Sequence, residues 1–309
     1  MTVSSNIGCV IVTFNRLDYL KTALAAYENS VRKPAYVLVI NNHSSDGTET
    51  FLENWKQQPS EYQRRVMHLP ENIGGAGGFH TGLEEAMKLP AEWIWLADDD
   101  AYPDEKAIFY LDERIKKGTD GIAAICTAVW EQGQLSIDHR RRLWRSGLHL
   151  HDVSVPKPAY EKDEFPLDIF SYVGAAISKS VLAQVGLTRS DYFIHYDDTE
   201  HSIRIGSRGQ ILCIPAARVD HCSTLTQTDK VDWRFYYDVR NYYDLEKTHF
   251  PVVFAYRIIV DSLDILMHFL MGRKRKKYRV IFEGLKDACL GRMGVHHVYR
   301  PGWKPDFER

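Results

Sequence analysis

The sequence predicts an α/β protein: a mostly parallel central sheet flanked by helices, followed by a C-terminal helical extension. Two observations carry this. In the first hundred residues short β-branched runs alternate with stretches of helical periodicity, separated by polar or Gly-rich turns. After residue 250 the pattern is helical throughout. The chain has 309 residues, 44% hydrophobic and 26% charged, enough apolar content for a sizeable core, which excludes disordered, collagenous and coiled-coil classes.

Element by element, Ile7–Thr13, Tyr36–Ile40, Val66–Leu69 and Trp93–Ala97 read as strands. Leu17–Asn29, Thr48–Lys56 and Gly78–Lys88 carry apolar residues at helical spacing between them. Such βαβαβαβ alternation implies parallel strands covered on both faces, with ligands at the strands' carboxyl ends. From Gly121 the pattern loosens into an apolar strand, a basic loop His139–Arg142, a Pro-rich connection Val155–Pro166 and a strand Ile169–Ile177. The acidic segment His195–Glu200 should open a helix that Gly209 stops. Helices follow over Val231–Lys247, Val252–Met271 and Lys276–Leu290. The expected division is a domain over 1–250 and a helical region over 251–309.

Charge and cysteine usage narrow the partners. With 39 basic and 41 acidic residues the net charge is −2, which gives no whole-protein grip on nucleic acid. The 5 cysteines are scattered and form no C-x-x-C pair, so neither a disulfide framework nor a zinc site is indicated, and a cytoplasmic location fits. The N-terminus lacks the features of a secretory signal. The longest apolar stretch is interrupted by Arg257, Asp261, Asp264 and His268, which makes it a poor spanning helix. Those four share one helical stripe, while Phe254, Ile258, Ile259, Leu263, Leu266, Phe269 and Leu270 cover the rest. The basic run Arg273–Lys277 follows. Residues 254–277 therefore read either as a membrane-surface anchor for anionic lipid or as a helix packed on the body or on a second subunit of a homo-oligomer.

Chemistry concentrates at four places. Asp98-Asp99-Asp100 follows the strand Trp93–Ala97; alternation lets Asp98 and Asp100 converge while Asp99 faces elsewhere, and oxygen ligands suit Mn²⁺ or Mg²⁺. Asp197-Asp198 opens a helix after an aromatic segment. Capping is the plain explanation; a carboxylate beside apolar rings is also suited to general-base work on a sugar hydroxyl. His221 follows the strand Ile211–Ile214 and a Pro-Ala-Ala-Arg connection, and can serve as a third metal ligand beside Asp98 and Asp100 if the chain returns there. Gly74, Gly75, Gly77 and Gly78 precede a helix and permit close backbone approach to a ligand. No G-x-G-x-x-G or P-loop register threads through them, which disfavours nicotinamide enzymes and P-loop NTPases.

Taken in order, these segments resemble an inverting family 2 glycosyltransferase with the GT-A fold. Val12-Thr13-Phe14-Asn15-Arg16 resembles that family's opening strand-end motif, and Asn41–Thr48 its nucleotide loop, with Asn41 where Asp is usual. Asn72–Phe79 and Trp95–Asp100 resemble the glycine and D-x-D motifs; Phe170–Gly174, Asp197–Glu200, His221 and Tyr237–Tyr242 match later segments. The resemblance implies that Thr13, Arg16, Asn41, Asp46 and Asp99 hold the nucleotide and that Gly74–Gly78 lies beside its diphosphate or sugar. It further implies that Asp98, Asp100 and His221 hold the cation and that Asp198 is the base. Bacterial galactofuranosyltransferases using UDP-galactofuranose are the most similar class, with dTDP-rhamnose-using rhamnosyltransferases as the alternative. The implied acceptor is a lipid-linked or oligosaccharide glycan at the inner face of the cytoplasmic membrane. A glycoside hydrolase would also use paired acids, and a non-catalytic carbohydrate- or nucleotide-binding subunit would need none; neither accounts for the ordered motifs.

Overall fold

The computed structural model describes residues 5–222, 231–271 and 275–303, with the side chains of Arg275 and Lys276 excepted. Arg273 and Lys274 of the basic run lie outside the described residues. The first part alternates as the periodicity predicts: β1 (Ile7–Thr13), α1 (Leu17–Asn29), β2 (Tyr36–Asn41), α2 (Thr48–Gln57), β3 (Gln63–His68), α3 (Gly74–Ala86) and β4 (Trp93–Asp98). There follow β5 (Ala101–Pro103), α4 (Ala107–Lys116), β6 (Ile122–Glu131), β7 (Gln134–Ser136), β8 (Arg140–Ser146) and β9 (His149–Ser154). Next come β10 (Phe165–Leu167), β11 (Ile169–Phe170), β12 (Ala175–Ser178), α5 (Lys179–Val185), α6 (Asp197–Gly206) and β13 (Gln210–His221). The chain closes with α7 (Trp233–His249), α8 (Pro251–Leu270) and α9 (Arg275–Leu290).

The main sheet runs β10-β13-β6-β12-β4-β1-β2-β3, and a second small sheet joins β11, β8 and β9. Pairing is parallel among β4, β1, β2 and β3 and antiparallel where β12 enters between β4 and β6. Helices cover both faces, so β1 and β2 are buried along their whole length, whereas edge strand β3 is not. The period of two splits β1 cleanly. Val10 and Val12 join Phe79 and Leu83 of α3 on one face; Cys9 and Ile11 join Leu20 and Leu24 of α1 on the other.

Four sequence expectations change. The glycine cluster does not precede the helix but forms the opening turns of α3, where a Cβ at Gly78 would stand 2.6 Å from Val12 and, further along, one at Gly82 2.4 Å from Val10. Close packing of helix on strand demands small residues there. The expected basic loop at 139–142 instead begins strand β8. Arg140 is fully buried and donates to the carbonyls of Thr127, His139 and Val173. The expected strand Ile169–Ile177 breaks into β11 and β12, since Gly174 takes a φ of +75° with Thr127 Oγ1 against it. The expected connection after Ile214 is part of β13, accommodated by a bulge between Ile214 and Arg218.

Helix α8 lies opposite to the usual sense of amphipathicity. Three of its polar residues face the body: Arg257 Nε donates to buried Glu246 at 2.7 Å, Tyr243 donates to Asp261 at 2.7 Å, and His268 stacks on Tyr278, while Asp264 stays exposed. Only Val253 and Ile265 of α8 are buried, and Val252, Ile259, Val260, Leu263, Leu266, Met267 and Leu270 are exposed. Helix α9 packs on α7, and the segment after it returns to the body, where Gly294 N donates to Asp191 O at 2.7 Å.

Candidate active site

Parallel register sets the ends of three strands side by side: Thr13 pairs with Asn41, and Val12 with Asp98. The chain then turns through Asp99 and Asp100 into β5, whose antiparallel pairing with β13 puts His221 opposite Ala101. Three acids and an imidazole are thereby gathered from positions far apart in sequence. Asp99 turns back, accepting from Thr13 Oγ1 at 2.7 Å and pairing with Arg16 Nη1 at 3.1 Å. Asp100 accepts from Arg16 Nη2 at 2.7 Å and stands 3.4 Å from His221 Nε2.

Electrostatics separates the three carboxylates. Burial, reinforced by its two acidic neighbours, raises Asp98 well above the usual range. Burial also pushes Asp99 up to about 7 against the pull of Arg16 and Thr13. Asp100 is buried too, yet His221 and Arg16 hold it below its ordinary value. His221 is lifted to about 9: burial opposes its charge, but Asp100 and Glu131 outweigh that.

Glu131 and His139 were not anticipated from sequence. Glu131 ends β6 and meets His221 Nδ1 at 2.9 Å and His139 Nε2 at 3.3 Å, and ligand atoms of all three lie within 4.8 Å of one another. A carboxylate on Nδ1 fixes the ring with Nε2 directed at Asp100, the supporting arrangement usual behind a metal-binding histidine. Among the described residues the group whose ligand atoms all lie within 4.8 Å of one another is Glu131, His139 and His221, and not the expected Asp98, Asp100 and His221; these last three border both cavities and present oxygen and imidazole donors suited to a divalent cation. Asp100 Oδ1 is buried with no hydrogen bond and only His221 Nε2 near it, at 3.4 Å, which leaves lone pairs free for a cation between the two. The only sequence signal for Glu131 was its place at the carboxyl end of a strand.

Two cavities meet at these acids. The larger, about 630 Å³, is lined by Thr13, Phe14, Arg16, Tyr19, Asn42, Asn72, Gly74, Gly75, Asp98–Asp100, Phe193, Ile194, His221, Trp233, Arg234 and Pro301, among others. The smaller, about 470 Å³, shares Arg16, Gly75, Asp98, Asp100, Ile194 and His221 with it and adds Arg141, Tyr172, His195, Tyr196, Asp197 and Asp198. Of the residues expected to hold a nucleotide, Thr13, Arg16, Asp99, Gly74 and Gly75 border the larger cavity. Asn41, Asp46, Gly77 and Gly78 border neither. Asn41 accepts from Ser44 N and meets His68; Asp46 accepts from Leu17 N and Thr48 Oγ1; Gly77 packs on Ile73 and Gly78 on Val12. Asn42, the next residue, faces the cavity and ties Asn72 Oδ1 and Gly74 O.

Asp197 and Asp198 begin α6 directly after a loop in which Phe193, His195 and Tyr196 all have φ near +65°. Thr199 donates to Asp198 Oδ1 through both its backbone N–H and its hydroxyl. Burial and the Asp198 charge push Asp197 up to about 7. His195 pairs with Asp238, which raises its pKa despite burial. The arrangement can place a phosphorylated ligand by the acidic triplet and a hydroxyl by the α6 acids, with reacting atoms at the seam.

Comparison with known proteins agrees with this fold. The chain is 37% identical to galactofuranosyltransferase GlfT1 of Mycolicibacterium smegmatis over 231 residues, covering 72% of this chain and 74% of that protein. It is 23% identical to the dTDP-rhamnosyl transferase RfbF of Shigella flexneri over 315 aligned positions, 95% of this chain and 97% of that one. Among solved structures, the mannosyltransferase PcManGT of Pyrobaculum calidifontis, in complex with GDP-Man and Mn²⁺, superposes with a TM-score of 0.57 at 13% identity, covering 94% of this chain and 89% of that one. GalNAc-T7 with UDP, GalNAc and Mn²⁺ superposes with a TM-score of 0.58 at 16% identity over 79% of this chain, which spans about half, 48%, of that longer chain. These likenesses show the GT-A fold. The family model described as glycosyl transferase family 2 matches residues 9–185, more than half of the chain, and the protein belongs to that family.

Proposed function

We propose that the protein transfers galactofuranose from UDP-galactofuranose, with inversion, to a hydroxyl of a lipid-linked bacterial surface glycan. The observation that carries this reading is the pair of abutting cavities. The acidic triplet and Gly75 lie where they meet, and the α6 acids line the smaller. The donor would occupy the larger cavity, its diphosphate near Arg16 and the amino-terminal turn of α3, where backbone N–H groups favour anions. A Mn²⁺ or Mg²⁺ held by Asp98, Asp100 and His221 supplies, when bound, neutralisation of charge on the departing nucleoside diphosphate. Asp198 takes the proton of the acceptor hydroxyl as it attacks the anomeric carbon. Tyr172 and Tyr196 offer apolar faces to the acceptor sugar and exclude water beside that acid.

The greater identity to a galactofuranosyltransferase supports UDP-galactofuranose, and the near-complete alignment to a dTDP-rhamnosyl transferase supports dTDP-rhamnose as the second reading. Incubation with each donor, Mn²⁺ and an acceptor extract separates them: release of UDP from UDP-galactofuranose is expected, and release of dTDP alone reverses the assignment. Asp198→Asn should lower turnover about 10²- to 10⁴-fold with donor affinity retained. Full activity in that variant would remove the base. The outward apolar stripe of α8, followed in sequence by five basic residues, supports a peripheral place on the inner face of the cytoplasmic membrane, near a lipid-linked acceptor.

A further inference from the structure

The loop between the 3-10 turn Ser190–Tyr192 and α6 separates the two cavities: Ile194 borders both, Phe193 the larger, and His195 and Tyr196 the smaller. Six non-glycine residues among those described have positive φ, and three of them, Phe193, His195 and Tyr196, are here. Left-handed backbone in bulky residues persists only where surrounding structure over-determines it. Two buried side chains one helical step apart on α7 do so.

Asn241 is fully buried, and its carboxamide Nδ2 lies 3.0 Å from Tyr192 O, 2.9 Å from Ile194 O and 2.9 Å from His195 O. Three carbonyls of the loop converge on one NH₂ group and share its two protons. Arg240 Nε donates to Asn241 Oδ1 at 3.0 Å, which leaves the NH₂ end facing the carbonyls. The same guanidinium donates to Tyr192 O at 3.0 Å and, from Nη1, to Gly294 O at 2.6 Å, so the C-terminal segment braces the loop as well. On the opposite side Phe193 O accepts from Ala76 N of α3 at 3.1 Å. The loop is thus pinned between the glycine helix of the donor cavity and α7, and it ends at Asp197-Asp198.

We infer that Asn241, oriented by Arg240, is a positioning residue: it holds the 192–196 loop so that Asp198 meets the acceptor hydroxyl beside the donor. This rests on the reading of Asp198 as the base. Asn241 itself borders neither cavity. Displacement of a reacting group by an ångström is enough to cost about a hundredfold in rate; Phe193, on the donor side of the loop, keeps its own tie to Ala76 N, so the loss falls on turnover and not on donor binding.

The experiment is steady-state transfer by the full chain carrying Asn241→Asp, which keeps the shape of the side chain but turns an acceptor oxygen toward the three carbonyls. The expected result is a fall in kcat of about 10- to 100-fold, with the donor KM and the stoichiometry of Mn²⁺-dependent UDP binding unchanged. Arg240→Lys, which keeps the charge but loses the Nε bond, should give the same split with a smaller fall. A purely structural role would instead reduce the fraction of chains able to bind UDP and leave kcat per competent site alone; that result overturns the inference, as does an equal loss in donor affinity. Should Asn241→Asp not fold, Asn241→Ser, with one donor and no added charge, decides by the same readings. Asp198→Asn is measured alongside: if it is fully active, the base assignment has failed; if it is inactive while folded Asn241→Asp is unimpaired, only the positioning role has failed.

Discussion

Gly74 and Gly75 are neighbours that lack a side chain for opposite reasons. At Gly74 φ is +79° and an added Cβ would stand 2.1 Å from Phe193 O, so any substitution displaces the loop that leads to the α6 acids. At Gly75 nothing lies within 4 Å of that position, and the space is the seam of the two cavities. Gly75→Ala is therefore expected to leave the melting temperature unchanged while raising the donor KM, and Gly74→Ala to lower both melting temperature and kcat. Calorimetry beside donor titration reads the difference, and equal behaviour of the two variants would contradict it. Asp98→Ala or Asp100→Ala should each abolish Mn²⁺-dependent UDP binding, measured calorimetrically; undiminished affinity in both would remove the cation site. The triplet was legible because three acids at a buried strand's end are hard to explain otherwise. Glu131 and His139 were not, since each is an ordinary polar residue until β6 and β8 bring them to His221.

Helix α8 shows what a periodic pattern contains and what it omits. The spacing of Arg257, Asp261, Asp264 and His268 defined one polar stripe, but a stripe has no direction until the helix is packed. Here Glu246 of α7 is buried and needs a cation, and Tyr243 needs an acceptor, so Arg257 and Asp261 turn inward, Val253, Phe254, Ile258 and Ile265 pack beside them, and most of the remaining apolar residues are left outside. Among the described residues no helix is long and apolar enough to cross a membrane. Leu263→Glu combined with Leu270→Glu should lower sedimentation with anionic liposomes and leave the melting temperature and the turnover on a water-soluble acceptor unchanged, because both side chains are exposed. Unaltered liposome binding together with dissociation of a dimer in sedimentation velocity would assign the face to a second copy of the chain instead.

On the scale of the whole molecule, two histidines held neutral contribute stability that is lost in mild acid, while the raised acids Asp98, Asp99 and Asp197 contribute with the opposite sign over the same range. His201 is fully buried; its Nε2 faces Gly186 O at 3.1 Å, which can only accept, so the proton sits there and Nδ1 accepts from Tyr172 at 2.7 Å. Burial, then the Arg204 charge, depresses His201 to about 3, and burial with Arg140 depresses His139 to about 4, from an ordinary 6.5. A depressed folded value means that the unfolded chain binds the proton first. This histidine contribution is complete above pH 6.5 and is lost as pH falls toward those values, by about 1 kcal/mol per pH unit for each group. Urea midpoints at pH 7, 6 and 5 for the native chain and His201→Gln isolate the His201 share: the native chain should lose stability relative to the variant as pH falls, and a pH-independent difference between the two would contradict it. The sequence by itself determined the alternating α/β core, the acids at its strand ends and the order of the motifs, because hydrophobic period and local residue chemistry are written along the chain. Tertiary structure alone decided that β13 carries His221 back to Asp100, that Asn42 and not Asn41 faces the cavity, and that α8 turns its apolar side outward, because each depends on partners supplied by distant segments.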